Sequence, residues 1–183
     1  MQKKSIYMYA AEAGVPTGMY LTLMSACFLL SIKMPALPML LLPLAIGFPF
    51  LLWGLMKRII KEEPGYNKFS SVWLGGIYTV IFGCLICLLL SALYVTFFEP
   101  NFVSLYVRNA LEVLEASEMS AEYEASILLM REAMDAHLLP SSIEFLTTMG
   151  WFTCFSGCII SLFISLLMTR TGRKIADKAP FIK

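Results

Sequence analysis

The feature that most constrains the fold of this chain is an uncharged stretch from Val72 to Phe98. A helix over this stretch, rising ~1.5 Å per residue, is about 40 Å long and exceeds the ~30 Å hydrocarbon thickness of a bilayer. The composition is 58% hydrophobic and 15% charged, whereas soluble domains average about 45–50% and ~25%. The stretch therefore predicts an integral membrane protein.

Three more apolar segments share this character, and together the four segments predict an all-α, polytopic membrane protein. The length of 183 residues fits a single domain, 1–183. The four predicted spans run over about residues 13–32, 38–56, 72–98 and 143–168.

Residues 99–142, hereafter the insert, form the only sizeable polar segment and separate the third predicted span from the fourth. Apolar residues recur in it at helical spacing, as at Val103 and Val107 and again at Ile127 and Met134, and predict two amphipathic helices. Their apolar faces must be covered by each other, by the membrane surface or by a partner. The excess of carboxylates disfavours anionic lipid, so we expect packing on each other or on another protein.

The basic residues are unevenly distributed around the predicted spans. Of the 14 Lys and Arg residues, only Lys33, Arg108 and Arg131 lie on the side of the insert. Cytoplasmic flanks of membrane spans are enriched in Lys and Arg. We therefore expect both termini to be cytoplasmic and the insert to be extracytoplasmic.

Small residues recur every four positions along three of the predicted spans. Such rows let helix backbones approach closely in lipid, where packing rather than the hydrophobic effect drives helix association. We therefore interpret them as helix-packing ridges. Their members include Gly14 and Gly18 in the first span, Gly75, Thr79, Gly83 and Cys87 in the third, and Gly157 and Ser161 in the fourth.

Cys84 and Cys87 form a C-x-x-C pair, and Cys154 and Cys158 lie four residues apart on another span. Four thiolates match the ligand number of a structural zinc site. Ligand thiolates also need polar outer partners, and no histidine lies near these cysteines in the sequence. We therefore expect small packing residues, with no metal site and no cofactor.

Three ionisable residues near the membrane ends are candidates for a functional role. Glu12 lies at the entry of the first span, and an ionisable group within lipid is a functional candidate by default. Glu144 flanks the last span, and we interpret it as interfacial. His137, the single histidine, is expected to be a solvated residue at a helix end. Glu12 is thus the one possible functional ionisable residue, and no catalytic residue is assigned.

The second span contains Pro43, Gly47 and Pro49, which predict a kink or an unwound turn. Interrupted helices line the substrate sites of transporters. A kinked packing helix is the simpler interpretation, because the spans carry no buried charge. The alternative is a small transporter or lipid flippase that acts as a homodimer.

The whole pattern resembles the four-span membrane proteins of Bacteroidetes that are catalogued as domain of unknown function 4199. The similarity is carried by AAEAGVPTGMYL in the first span, by the short basic loop after the second, and by GIYTVIFGCLICLLLSALYVTFFEPNFV. That last segment ends in the aromatic-acid-proline step of the family, here Phe98-Glu99-Pro100. Basic residues from Arg170 to Lys174 follow the final span.

The resemblance implies a bacterial inner-membrane location and no catalytic residue. Family members are often encoded beside a polyprenyl-phosphate-type glycosyltransferase, which implies an accessory role in envelope biogenesis. We therefore expect a non-enzymatic accessory or scaffold subunit that contacts membrane lipid and either a membrane-protein partner or a second copy of itself. The sequence has no Gly-rich phosphate loop and no basic patch of the kind that binds nucleic acid.

Overall fold

The computed structural model describes residues 5–34, 36–62, 68–116 and 124–177. These residues are largely helical and contain no strand, and four of their helices are long and apolar enough to cross a membrane. The predicted all-α class is thereby confirmed, and the chain is a multi-pass membrane protein. The helices, in chain order, are α1 (Ile6–Leu29), α2 (Pro38–Glu62), α3 (Phe69–Phe98), α4 (Phe102–Glu115), α5 (Glu124–Asp135) and α6 (Ser142–Asp177).

The membrane-crossing helices extend further than the predicted spans. α1 begins at Ile6 rather than near residue 13, and a 3-10 turn over Leu30–Ile32 follows its end. A helix satisfies its own backbone hydrogen bonds, so it can continue through the lipid–water boundary into more polar sequence. The apolar parts that can cross the membrane are Ile6–Ile32, Pro38–Lys61, Phe69–Phe98 and Ser142–Arg170.

α3 lies between α1 and α6, and both neighbours approach it closely. On the α1 side, a Cβ atom added to Gly14 would lie 2.6 Å from the Cβ of Phe82, and one added to Gly18 would lie 2.8 Å from the Cβ of Ile86. In both contacts the α1 residue and the α3 residue are separated by the same number of positions in the sequence, so α1 and α3 run parallel. No larger residue fits at either glycine without movement of the neighbouring helix.

The contacts between α3 and α6 run in the opposite direction. Gly76 of α3 packs against Ser161 of α6, and Val80 of α3 packs against Gly157 of α6. Residue numbers rise on α3 as they fall on α6, so these two helices are antiparallel. Glycine lies on α3 in one contact and on α6 in the other, so each helix makes room for the other.

α2 is the peripheral helix of the bundle and packs mainly on α1. It is continuous through Pro43 and Pro49, so of the predicted kink or unwound turn, the unwound turn is absent. The Tyr20 hydroxyl of α1 donates a 2.7 Å hydrogen bond to the Leu44 carbonyl of α2. Gly47 leaves room for this hydroxyl, since a Cβ atom there would collide with it. The bond ties α1 to α2 beside the predicted break.

The insert is anchored to one end of the bundle. Phe102, at the start of α4, is fully buried, and its ring contacts the rings of Phe28 in α1 and Phe145 in α6. The Ser142 hydroxyl, at the start of α6, donates a 2.8 Å hydrogen bond to the Pro100 carbonyl. The two ends of the insert therefore meet at this end of the bundle.

An ion pair between Lys33 and Glu99 joins the turn after α1 to the end of α3. The hydrogen bond to the Glu99 carboxylate raises the pKa of the Lys33 ammonium above its ordinary value of 10.5. The pair therefore stabilises the fold at neutral pH, and the contribution of the Lys33 ammonium is lost as the pH rises through the raised pKa. Lys33 is mostly exposed, so the buried ring of Phe102 is the stronger anchor.

Gly83 gives the sharpest test of the α1–α3 contact. A Cβ atom there would lie 2.7 Å from Thr17 Cγ2 and 3.2 Å from the backbone nitrogen of Gly18, and a helix backbone cannot turn aside as a side chain can. We expect Gly83→Ala to destabilise the bundle by about 1–3 kcal/mol, measured by unfolding in mild detergent.

The matched control is Gly54→Ala on α2. A Cβ atom at Gly54 has no other atom within 4 Å, so this variant should be as stable as the parent chain or slightly more stable. Equal stability of the Gly83 and Gly54 variants would contradict the close α1–α3 contact.

Candidate functional site

The predicted ridge residues lie at the two contacts of α3. Gly14, Gly18 and Gly83 occupy the α1–α3 contact, and Gly157 and Ser161 of α6 lie against α3. Ser161 is fully buried, and its hydroxyl has no hydrogen-bond partner among the described residues. These positions hold the helices together at short range.

The remainder of the predicted α3 ridge is less uniform. Thr79 is fully buried and its hydroxyl donates a 2.8 Å hydrogen bond to the Gly75 carbonyl. Gly75 itself makes no close approach, since a Cβ atom there would lie 3.7 Å from Ile6. The Cys87 sulfur lies 3.9 Å from the Ser91 hydroxyl. The ridge therefore combines glycines with hydroxyl and thiol groups.

Cys154 of α6 is the common neighbour of two other cysteines where α3 packs on α6. Cys84 of α3 lies beside Cys154 of α6, and Cys158 lies next to Cys154 on the same helix. All three are free thiols. In the part of the chain that the structure describes, no three His, Cys, Asp or Glu side chains converge to hold a metal ion. Cys84 belongs to the buried core, and Cys154 packs against it.

Glu12 lies in a small cavity of about 80 Å³ between α1 and α2, which Tyr9 and Arg58 also line. The first turns of α1 and the last turns of α2 meet here, at the bundle end away from the insert. The cavity brings a carboxylate, a phenol and a guanidinium group together. Its volume suits a few water molecules, whereas sites for small-molecule ligands measure about 300–1,000 Å³.

Glu144 lies in the first turn of helix α6. Its carboxylate accepts a 2.8 Å hydrogen bond from the Ser141 N–H, and the Ser141 hydroxyl accepts a 3.3 Å bond from the Glu144 N–H. This reciprocal pair is a capping box, which the S-x-x-E spacing of the two residues indicates in the sequence. The Glu144 carboxylate therefore has a structural role at the helix start.

His137 lies two residues after the last residue of helix α5. Its φ angle of 53° lies in the left-handed region. The His137 N–H donates to the Met134 carbonyl at 3.1 Å, and the Leu138 N–H donates to the Ala133 carbonyl at 2.9 Å. These two bonds form a Schellman motif, which terminates a helix and satisfies its last carbonyl groups. The imidazole is exposed, so His137 acts here through its backbone.

α5 carries an exposed apolar surface outside the membrane-crossing helices. It packs mainly on α4, to which the Arg131 guanidinium joins it by a 2.7 Å bond to the Glu115 carboxylate. Ile127 is the one buried residue of α5, whereas Leu128 and Leu129 are 59% and 67% exposed. The insert helices therefore pack on each other over one side only.

Carboxylates surround these leucines. Glu124 and Glu132 lie four residues before and after Leu128, so they share its side of the helix, and both are exposed. We term the exposed leucines and these two glutamates, Glu124, Leu128, Leu129 and Glu132, the α5 surface. It combines an apolar centre with an acidic rim.

A partly open groove of about 310 Å³, termed the lateral groove, lies between α2 and the other membrane-crossing helices. Its walls are mostly apolar, with Met24, Ala45 and Met149 among the lining residues. The Ser25 and Ser91 hydroxyls, also in the wall, bond each other at 2.7 Å. Its volume falls at the small end of ligand sites.

The chain belongs to the family described as Protein of unknown function (DUF4199), whose sequence profile matches residues 13–170. The family resemblance found in the sequence is thereby confirmed. The matched range runs from α1 to the last apolar turns of α6 and includes the insert, so the whole bundle is the unit that the family shares. No significant match was found among curated proteins or among solved structures.

Substitution of His137 separates its backbone role from a chemical one. Glycine reaches φ > 0 without steric cost, so we expect His137→Gly to keep α5 intact, with stability within about 1 kcal/mol of the parent or above it. His137→Val should weaken the end of α5 by roughly 1–3 kcal/mol, because a β-branched residue is strained there. Hydrogen exchange of the α5 amides measures both effects. Loss of cellular function in His137→Gly with a protected α5 would contradict a purely structural role.

Proposed function

We propose that this chain is a non-enzymatic accessory or scaffold subunit of the bacterial inner membrane, and that its α5 surface docks a membrane-protein partner. The observation that carries the proposal is the exposure of Leu128 and Leu129. A leucine exposed on a membrane-crossing helix is solvated by lipid, but α5 lies outside those helices. Burial of each leucine by a partner would contribute about 1.5–3 kcal/mol.

The charges around the leucines define the chemistry of the partner. Glu124 and Glu132 flank Leu128, whereas Arg131, the one arginine of α5, is engaged by Glu115. The α5 surface therefore suits a protein with an apolar patch rimmed by Lys or Arg. A second copy of the same surface, or an anionic lipid headgroup, would set like charges against each other.

The basic residues support an orientation with both termini in the cytoplasm and the insert outside it. Lys57 and Lys61 near the end of α2, Lys68 before α3, and Arg170 in α6 lie at the bundle end opposite the insert. Lys and Arg are enriched on the cytoplasmic side of membrane spans. Four further basic residues of the sequence, Lys3, Lys4, Lys178 and Lys183, lie outside the described residues.

One crosslinking experiment tests both the orientation and the docking. Ala125→Cys places an attachment site between Leu128 and Leu129 on the helix surface, three and four residues before them. A membrane-impermeant benzophenone maleimide, added to spheroplasts, should label this site and on illumination crosslink a membrane protein with a basic exposed patch. Adding Leu128→Ala and Leu129→Ala should lower the crosslinked yield at least about tenfold, because each buried methylene contributes ~0.8 kcal/mol and 1.4 kcal/mol is tenfold.

The matched control is Val113→Ala, since Val113 is 71% exposed on α4 but lies outside the α5 surface. This variant should keep the parent yield. Absence of labelling from outside would contradict the orientation. Docking would be contradicted by a crosslink to a second copy of the chain, or by a yield that the leucine substitutions leave unchanged.

A further inference from the structure

The lateral groove lies at a depth where lipid is the solvent. Its lining residues come from all four membrane-crossing helices, with Met24 on α1, Leu41 on α2, Leu88 on α3 and Met149 on α6. The medium around those parts of the helices is the hydrocarbon of the bilayer. The groove therefore opens to lipid, and its occupant must be apolar over most of its length.

The dimensions of the groove suit a single hydrocarbon chain. Its volume is about 310 Å³, at the small end of the range for ligand sites. A hydrocarbon chain is a single carbon atom wide, with a contact diameter of about 4 Å, so a groove of this size between four helices can hold one.

The position of α2 keeps the groove open. The Tyr20 hydroxyl holds the Leu44 carbonyl at 2.7 Å and so sets the distance of α2 from α1. The next residue, Ala45, is small and exposed and lines the groove. On the opposite wall, Gly150 of α6 adds no side chain. The opening therefore follows from a helix contact and from two small residues.

Ser25 and Ser91 form a hydroxyl pair in the wall of the groove. Because one hydroxyl donates to the other at 2.7 Å, the second hydroxyl keeps a proton for a further acceptor. Ser91 lies ~10 Å along the axis from the end of α3 at Phe98. α3 is about 45 Å long in a hydrocarbon layer of ~30 Å, so the pair lies near the level of the lipid ester carbonyls.

We propose that the lateral groove binds one acyl chain of an ester-linked membrane lipid, with the Ser25–Ser91 hydroxyl pair donating to the ester carbonyl. The apolar walls hold the chain by packing. The hydroxyl pair distinguishes an ester from an ether or a plain hydrocarbon, because only the ester offers a carbonyl acceptor at that level. This binding goes beyond the docking of a protein on the α5 surface and does not depend on it.

The test compares two probes on the purified chain, a diester phosphatidylethanolamine and its diether analogue, with bound lipid counted by native mass spectrometry. We expect one lipid per chain, and retention of the diester about 2–10-fold above the diether, the range for a single hydrogen bond. Ser25→Ala combined with Ser91→Ala should remove this preference. Equal retention of the two lipids by the parent chain would overturn the ester contact.

A substitution at the mouth of the groove tests whether lipid binds inside it. Ala45→Trp fills the groove from an exposed position and should abolish retention of both lipids while thermal unfolding is unchanged. Leu42→Trp is the matched control, because Leu42 is 67% exposed on the same helix and does not line the groove; it should retain both lipids. A parent chain that retains no lipid, or retention that Ala45→Trp leaves intact, would overturn the proposal.

Discussion

The close contact of α3 with α1 and α6 is the interaction on which the rest of the structure depends. In lipid there is no hydrophobic force between helices, so association relies on packing at short range. Gly14, Gly18 and Gly83 allow that approach on the α1 side, and Gly76 and Gly157 allow it on the α6 side. α3 is uncharged along its length, so contacts of this kind, rather than ion pairs, hold it between its two neighbours.

Both candidate functional surfaces follow from this arrangement. α1 and α6 occupy two sides of α3, so α2 packs mainly on α1, and the lateral groove lies between α2 and the remaining helices. The end of α3 leads directly into the insert, where Phe102 is fully buried and fixes the start of α4. α5 is then held through α4 and presents Leu128 and Leu129 away from the bundle. The groove lies among the membrane-crossing helices, and the α5 surface lies outside them.

Local signals in the sequence predicted the class of the fold, but they did not indicate which residues of distant helices are in contact. Uncharged runs predicted the membrane helices because their length alone is decisive. The row of α3 residues that faces α6, Gly76 and Val80, has no such signal. Val80 interrupts the pattern of small residues, and the residues that this row contacts lie on a distant helix. Pro43, Gly47 and Pro49 predicted a kink or an unwound turn in α2; the helix has no unwound turn there, and the kink stays a prediction. The capping box of Ser141 and Glu144 was visible in the sequence as S-x-x-E, and the left-handed His137 carried no such signal.

Disulfide crosslinking in native membranes tests most directly whether α3 and α6 pack in this register. A chain in which Cys27, Cys87 and Cys158 are replaced by alanine keeps only Cys84 and Cys154, which lie side by side. Mild oxidation should join them within one chain, so that fragments cut within the insert stay linked until reduction. A chain that keeps Cys87 instead of Cys84 should not crosslink, because Cys87 lies beside Thr22 and Ser25 of α1. The opposite result, with linkage through Cys87 and none through Cys84, would contradict the arrangement of helices around α3.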